Sequence, residues 1–114
     1  MDDSLRLALL FDFYGELLKE NQKEVYNSFV FLDLSLSEIA EEQGISRQAV
    51  HDMVKRSVNT LEGYEKKLGL IKRYNSMTEK INEVRTLVSD ETSGINGKTR
   101  DRILSALDDI SELA

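Results

Sequence analysis

Apolar residues recur every three or four positions along almost the whole chain, which is the spacing of amphipathic helices. The longest such run extends from Val50 to Ile71, and a second dense run lies between Leu7 and Leu18. No segment shows the strict two-residue alternation of a half-buried strand. The chain contains no proline that would break a helix. The pattern therefore predicts an all-α protein.

Predicted helix ends divide this pattern into six helices. The first spans about residues 5–18 after a Ser4 cap, and the second spans about residues 21–33. The last two helices carry apolar stripes over residues 74–88 and 103–113.

A short helix with strong end signals is predicted at residues 36–43. Ser35 and Glu38 have the spacing of a capping box, in which each side chain satisfies a backbone N–H group of the other residue. Gly44 can adopt the left-handed conformation that ends a helix, and Ser46 is placed to cap the next helix. The sequence therefore predicts two helices joined by a tight turn.

This arrangement is typical of a helix-turn-helix motif, which we place at residues 36–56. The motif needs a small residue where its helices cross, and Ala40 stands at that position. It needs a residue that tolerates positive φ at the turn, which is Gly44. It also needs apolar residues that hold the two helices together, and Ile45 and Val50 are expected to do so.

The apolar seam from Val50 to Ile71 is longer than a compact three-helix domain requires. It is either a coiled-coil-like interface of a homodimer, or it packs within the chain against the fifth and sixth helices. We predict a helix-turn-helix domain over residues 1–68 and a helical extension over residues 69–114 that serves dimerisation.

The charge of the chain is unevenly distributed. The 114 residues include 15 basic and 21 acidic side chains, which give a net charge of −6. Residues 46–73 nevertheless contain seven basic and only three acidic residues. Such a segment is typical of a surface that binds a polyanion, although a solvated lysine-rich helix face gives the same pattern.

The period of the fourth helix determines which of its side chains face outward. This face is the predicted nucleic-acid-binding surface, and its residues are Ser46, Arg47, Gln48, His51, Asp52, Lys55 and Arg56. Arg47 and Gln48 lie in the first turn, where arginine can pair with guanine and glutamine with adenine. Ser46, Lys55 and Arg56 are expected to contact phosphates.

The roles of His51 and Asp52 depend on what binds. His51 can hydrogen-bond to a base or a phosphate. Asp52 repels phosphates unless it accepts a hydrogen bond from cytosine N4 or pairs with a nearby arginine.

Four segments of the chain resemble the YlxM family of helix-turn-helix proteins. They are LFDFY at residues 10–14, SLSEIAEE at 35–42, GISRQAV at 44–50, and the residues Leu61-Glu62, Tyr64-Glu65 and Lys67-Leu68. The resemblance implies an all-helical, dimeric, cytoplasmic bacterial protein that binds nucleic acid, with a fold like the promoter-reading fourth region of sigma factors. It also implies a link to the signal recognition particle, whose RNA or proteins are then candidate partners.

The sequence departs from this family at two places in the motif. His51 stands where the family usually has tyrosine, and Met53 stands where a polar residue is common. The chain beyond Met77 shows no motif of the family.

Catalysis is not expected from this sequence. The chain has no cysteine and a single histidine, so that it lacks a cysteine nucleophile and a histidine-rich or thiolate metal site. The acidic pairs lack the order and the central glycine of a calcium-binding loop. We therefore predict no enzyme, no metal, no cofactor and no membrane insertion.

Two functions remain open at this point. In the preferred one, the protein is a regulator that reads the DNA major groove with its fourth helix. In the other, it is a non-catalytic helical module that binds the RNA or the proteins of the signal recognition particle. Base readout distinguishes them, because side chains cannot read the deep major groove of structured RNA.

Overall fold

The computed structural model describes residues 3–113, and over that range it is all-α. Its six α-helices are α1 Ser4–Tyr14, α2 Glu20–Val30, α3 Leu36–Gln43, α4 Arg47–Leu68, α5 Leu70–Ser89 and α6 Gly97–Leu113. Short 3₁₀ turns at Gly15–Leu17 and Glu91–Ser93 follow α1 and α5. The predicted fold class is confirmed.

Helix ends differ from prediction most at α1. Asp3, and not Ser4, has the extended backbone of a cap, and its carboxylate accepts a hydrogen bond from the N–H of Arg6 at 3.1 Å. Ser4 is therefore the first helical residue. The helix also ends at Tyr14 and not near residue 18, because the chain tightens there into the 3₁₀ turn.

The chain divides into two compact units, of which the first ends at Ile71 and the second begins at Lys72. The first unit holds two clusters of buried side chains. One cluster joins α1, α2, α4 and the start of α5, and its members are Leu7, Leu10, Tyr14, Leu18, Tyr26, Leu61 and Ile71. The other joins α2, α3 and α4, and its members are Val25, Ile39, Ala40, Val50 and Val54.

The seam of α4 is buried inside the first unit. Val50, Val54 and Leu61 are 0% exposed, and Ile71 is 1% exposed. These residues pack in the two clusters with α1, α2 and α3. The alternative of packing within the chain had instead named the fifth and sixth helices. Most of the seam is therefore core, whereas Leu68, near its end, is 57% exposed. The four buried residues are not available to a homodimer interface.

A bidentate ion pair also holds α4 against α1. Arg6 donates from Nε and Nη2 to the two carboxylate oxygens of Glu62, at 2.9 and 2.8 Å. These hydrogen bonds hold the pKa of Glu62 below its usual range. Both side chains are partly exposed, so the pair orients α4 more than it stabilises the fold.

The corner between α4 and α5 is closed by side chains from α1 and α4. Gly69 has a φ of 63°, which ends α4. The Tyr14 hydroxyl donates to Glu65 Oε1 at 2.6 Å and accepts from the Leu70 N–H at 3.1 Å. Glu65 Oε1 also accepts from the Ile71 N–H at 2.9 Å, so the first backbone donors of α5 are satisfied.

Ser57 is the polar member of the α4 seam, and its buried hydroxyl has no hydrogen-bond partner among the described residues. Since an unsatisfied buried hydroxyl is costly, Ser57→Ala is expected to raise the free energy of unfolding by about 1 kcal/mol. Urea denaturation at fixed protein concentration measures this change. Asn59→Ala, at an exposed position of the same helix, controls for the helix propensity of alanine. A less stable Ser57→Ala protein would contradict the prediction.

Candidate nucleic-acid interface

The capping box predicted before α3 is present. The Ser35 Oγ accepts from the Glu38 N–H at 3.1 Å, and a Glu38 carboxylate oxygen accepts from the Ser35 N–H at 3.0 Å. The hydrogen bond that the Ser35 N–H donates to the Glu38 carboxylate, with a further contribution from the Ser35 side chain, holds the pKa of Glu38 below its usual range. The capping box also sets the start of the first helix of the motif.

The turn after α3 depends on a glycine. Gly44 has a φ of 68° and a ψ of 31°, and the N–H groups of Gly44 and Ile45 both donate to the Ala40 carbonyl. An added Cβ at Gly44 would meet nothing within 4 Å, so the positive φ, and not lack of space, favours glycine here. Ser46 then accepts from the Ala49 N–H at 3.0 Å and begins α4.

The predicted packing residues of the motif do not all pack. Ala40 is 8% exposed and Val50 is 0% exposed, and both lie in the cluster that joins α3 to α4. Ile45, however, is 37% exposed. Ile45 is also not among the residues that pack in or against this cluster, and its part in holding the two helices together stays a prediction.

The structure brings the seven predicted binding residues together over the first ten residues of α4 and its cap. Six are exposed, namely Ser46, Arg47, Gln48, Asp52, Lys55 and Arg56, and His51 is half-buried. Within residues 3–113, no carboxylate lies within 4 Å of the charged groups of Arg47, Lys55 and Arg56. Three unpaired cations therefore stand on a chain whose net charge is negative.

Gln48 and Asp52 are joined by a hydrogen bond that sequence reasoning missed. Gln48 Nε2 donates to Asp52 Oδ1 at 3.0 Å. Their i,i+4 spacing on a helix was a signal that could have revealed the contact. His51 Nδ1 lies 3.5 Å from the same Asp52 oxygen, without a hydrogen bond to any described residue. The carboxylate of Asp52 is thus hydrogen-bonded to Gln48 and lies close to His51.

No group of three or more residues that could hold a metal ion is present in the described part of the chain. Within the same range, no helix combines the length and the apolar character needed to cross a bilayer.

Comparison with known proteins places this geometry in a family. The family model described as "Putative helix-turn-helix protein, YlxM / p13 like" matches residues 1–100. A UPF0122 protein of Caldanaerobacter subterraneus subsp. tengcongensis is 45% identical over 87 residues, which cover 76% of this chain and 74% of that protein.

Two further relatives have the same family designation. A UPF0122 protein of Listeria welshimeri is 51% identical over 80 residues, which cover 69% of this chain and 72% of the relative. A UPF0122 protein of Halalkalibacterium halodurans is 40% identical over 93 residues, which cover 82% of this chain and 85% of the relative. The chain therefore belongs to the YlxM / p13-like family of helix-turn-helix proteins.

Proposed function

We propose that this protein is a regulator that binds DNA by inserting the first turns of α4 into the major groove. The observation that carries the proposal is the set of three exposed, unpaired cations, Arg47, Lys55 and Arg56, on a helix whose opposite face is anchored in the core. A helix held in this way can approach a duplex without rearranging. The attraction to DNA then comes from the positive charge at the start of α4 more than from the net charge of the chain.

Each exposed side chain has a role that follows from its chemistry. Arg47 can donate two hydrogen bonds to guanine O6 and N7. Ser46, Lys55 and Arg56 contact phosphates, which position the helix but do not read sequence. His51 adds a hydrogen bond to a base or a phosphate.

Gln48 is suited to adenine, because Asp52 already orients its amide. A carboxylate can only accept, so the amide group that faces Asp52 must be Nε2. The second hydrogen of Nε2 and the free Oε1 remain available for adenine N7 and N6. Asp52 therefore serves as a positioning residue in this proposal, and its negative charge is partly offset by the amide that it binds.

Arg47→Ala tests whether bases are read. Wild type and variant are each used to select duplexes from a randomised DNA pool, and affinities are then measured across a salt series. We expect the variant to lose preference at one guanine, at a cost of about 1–3 kcal/mol, and to keep most of its affinity for unselected DNA. Arg73→Ala, which removes an exposed arginine of α5, is the matched control.

The same experiment distinguishes DNA binding from the alternative function, which is binding to the RNA or the proteins of the signal recognition particle. Binding to signal recognition particle RNA that depends on Lys55 and Arg56, but not on Arg47, would replace DNA by RNA as the partner. Failure to bind either nucleic acid would contradict the proposal and favour a protein partner in that particle.

We also propose how the chain is divided into domains, how it assembles and where in the cell it is located. The helix-turn-helix domain of residues 1–68 carries the reading helix, and residues 69–114 serve assembly. A homodimer would present two α4 helices to half-sites about one turn of DNA apart (~34 Å). A cytoplasmic location is the one that such a regulator requires.

A further inference from the structure

A surface groove lies between α1 and α2 in the first unit. It is lined by Phe11 of α1 and by four residues of α2, namely Glu20, Lys23, Glu24 and Asn27, and its volume is about 480 Å³. We call it the α1–α2 groove. A volume of this size is in the range of sites that bind a ligand or the side chains of a partner.

The aromatic surface of the α1–α2 groove is held in place by its neighbours. The Phe11 ring stacks on Tyr26 and meets the Phe31 ring edge-on, with 5.4 Å between the ring centroids in both pairs. It also lies close over Gly15, where an added Cβ would be 2.7 Å from Phe11 Cδ2. Phe31 is 45% exposed, so its ring extends the apolar surface of Phe11. A partner would therefore meet an aromatic contact that is already formed.

Carboxylates surround this aromatic surface. Lys23 Nζ donates to Glu16 at 3.0 Å and to Glu20 at 3.5 Å, which offsets its charge. The Lys23 side chain is only 20% exposed, whereas those of Glu16 and Glu20 are 93% and 92% exposed. Glu24 is exposed, and no cation lies within 4 Å of its carboxylate in residues 3–113. The groove is therefore negatively charged.

The α1–α2 groove lies on the side of α2 that faces away from the core. Glu20, Glu24 and Asn27 are spaced by four and three residues, which places them on one stripe of α2. Val25 and Tyr26, on the other side of this helix, are buried in the two clusters that include α4. The predicted nucleic-acid-binding surface faces away from the same clusters. A molecule in the groove therefore leaves that surface free.

We infer that the α1–α2 groove binds a basic segment of a partner protein, with one large apolar side chain against Phe11 and Phe31 and with flanking lysine or arginine side chains beside Glu20 and Glu24. The negative charge repels nucleic acids and anionic membranes but attracts such a segment. Arginine is especially suited, because its guanidinium group pairs with carboxylates and also stacks on aromatic rings. The inference does not depend on DNA binding by α4.

Peptide selection tests the chemistry of the partner. Immobilised full-length wild type is used to select from a displayed library of random peptides, and peptides that also bind the uncoated support are discarded. We expect the enriched peptides to place lysine or arginine beside a large apolar residue. No enrichment, or enrichment of peptides without net positive charge, would overturn the inference.

An enriched peptide, synthesised with a fluorescent label, tests the site by fluorescence anisotropy. Glu24→Lys is expected to weaken binding about 10-fold, because it places a cation beside the aromatic surface. It breaks no ion pair of the free protein. Glu42→Lys, which makes the same charge change at an exposed position of α3, is the matched control and should weaken binding less than about 3-fold.

A second pair of variants tests the apolar contact. Phe31→Ala should weaken binding of the same peptide about 5-fold, because aromatic residues at the centre of an interface contribute most to affinity. Leu87→Ala, which truncates a 63% exposed side chain of α5, should leave binding unchanged. Circular dichroism verifies that each variant keeps its helices.

Three further results would overturn the inference. Equal effects of Glu24→Lys and Glu42→Lys would mean that only the net charge attracts the peptide. An unchanged affinity in Phe31→Ala would exclude the aromatic contact. An oligomer of the wild type that Glu24→Lys dissociates, measured by light scattering, would make a second copy of the chain the occupant. DNA affinity of Glu24→Lys should stay within about 3-fold of wild type, so failure here and failure of the proposed function can be distinguished.

Discussion

Reversing the charges of Lys55 and Arg56 to glutamate is expected to lower DNA affinity by about 100-fold or more at low salt. Both side chains are exposed, and neither has a carboxylate partner within 4 Å among the described residues. Each substitution removes one phosphate contact and adds a repulsion between the new carboxylate and the DNA phosphates. The remaining binding should also depend less on salt, with a log–log slope smaller by about 2. Fluorescence anisotropy with a labelled duplex, at several salt concentrations, measures both quantities.

The matched control reverses two other charges of the same helix. Lys66 and Lys67 are exposed in the last turn of α4. Lys66→Glu with Lys67→Glu changes the net charge by the same amount, about 16 Å along the axis from Lys55. We expect a loss of less than about 10-fold from this pair. Equal losses from both pairs would mean that overall charge, and not the surface at the start of α4, governs binding.

Replacement of Ile39 by alanine is expected to destabilise the first unit by about 2–5 kcal/mol. Ile39 is 0% exposed and packs with Val25, Val50 and Val54 between α2, α3 and α4. Its truncation leaves a cavity where the two helices of the motif meet. Because small domains are stable by only about 5–15 kcal/mol, this loss should lower the urea midpoint of unfolding markedly. Urea titration followed by circular dichroism measures the shift.

The same truncation at Ile45 is the control. Ile45 belongs to the same motif but is 37% exposed, so Ile45→Ala should cost less than about 1 kcal/mol. DNA affinity of the folded protein should be nearly unchanged in this variant. A larger cost at Ile45 than at Ile39 would show that the turn, and not the α3–α4 contact, stabilises the motif.

The features that could be predicted from the sequence are mainly local. The capping box of Ser35 and Glu38, the end of α3 at Gly44 and the start of α4 at Ser46 depend on residues within a few positions of each other. Such signals are complete in a short stretch of sequence. For this reason the boundaries of α3, the start of α4 and its outward face could be predicted before the fold was known.

The features that could not be predicted depend on distant parts of the chain. The seam of α4 has the same pattern whether it contacts another copy or the same chain, and only the arrangement of α1, α2 and α3 decides between these outcomes. The Arg6–Glu62 ion pair joins residues 56 positions apart, for which the sequence contains no signal. The 37% exposure of Ile45 depends on how the helices around it pack, and apolar character alone does not determine it.

The hydrogen-bonded corner at Gly69 has a practical consequence for producing the first unit on its own. A shortened chain that stops at Leu68 would leave the Tyr14 hydroxyl and the Glu65 carboxylate without the backbone donors of Leu70 and Ile71. It would also remove the Ile71 side chain, which is 1% exposed, and open a void beside Leu10 and Leu61. A fragment for spectroscopy or crystallisation should therefore extend at least one helical turn past Ile71.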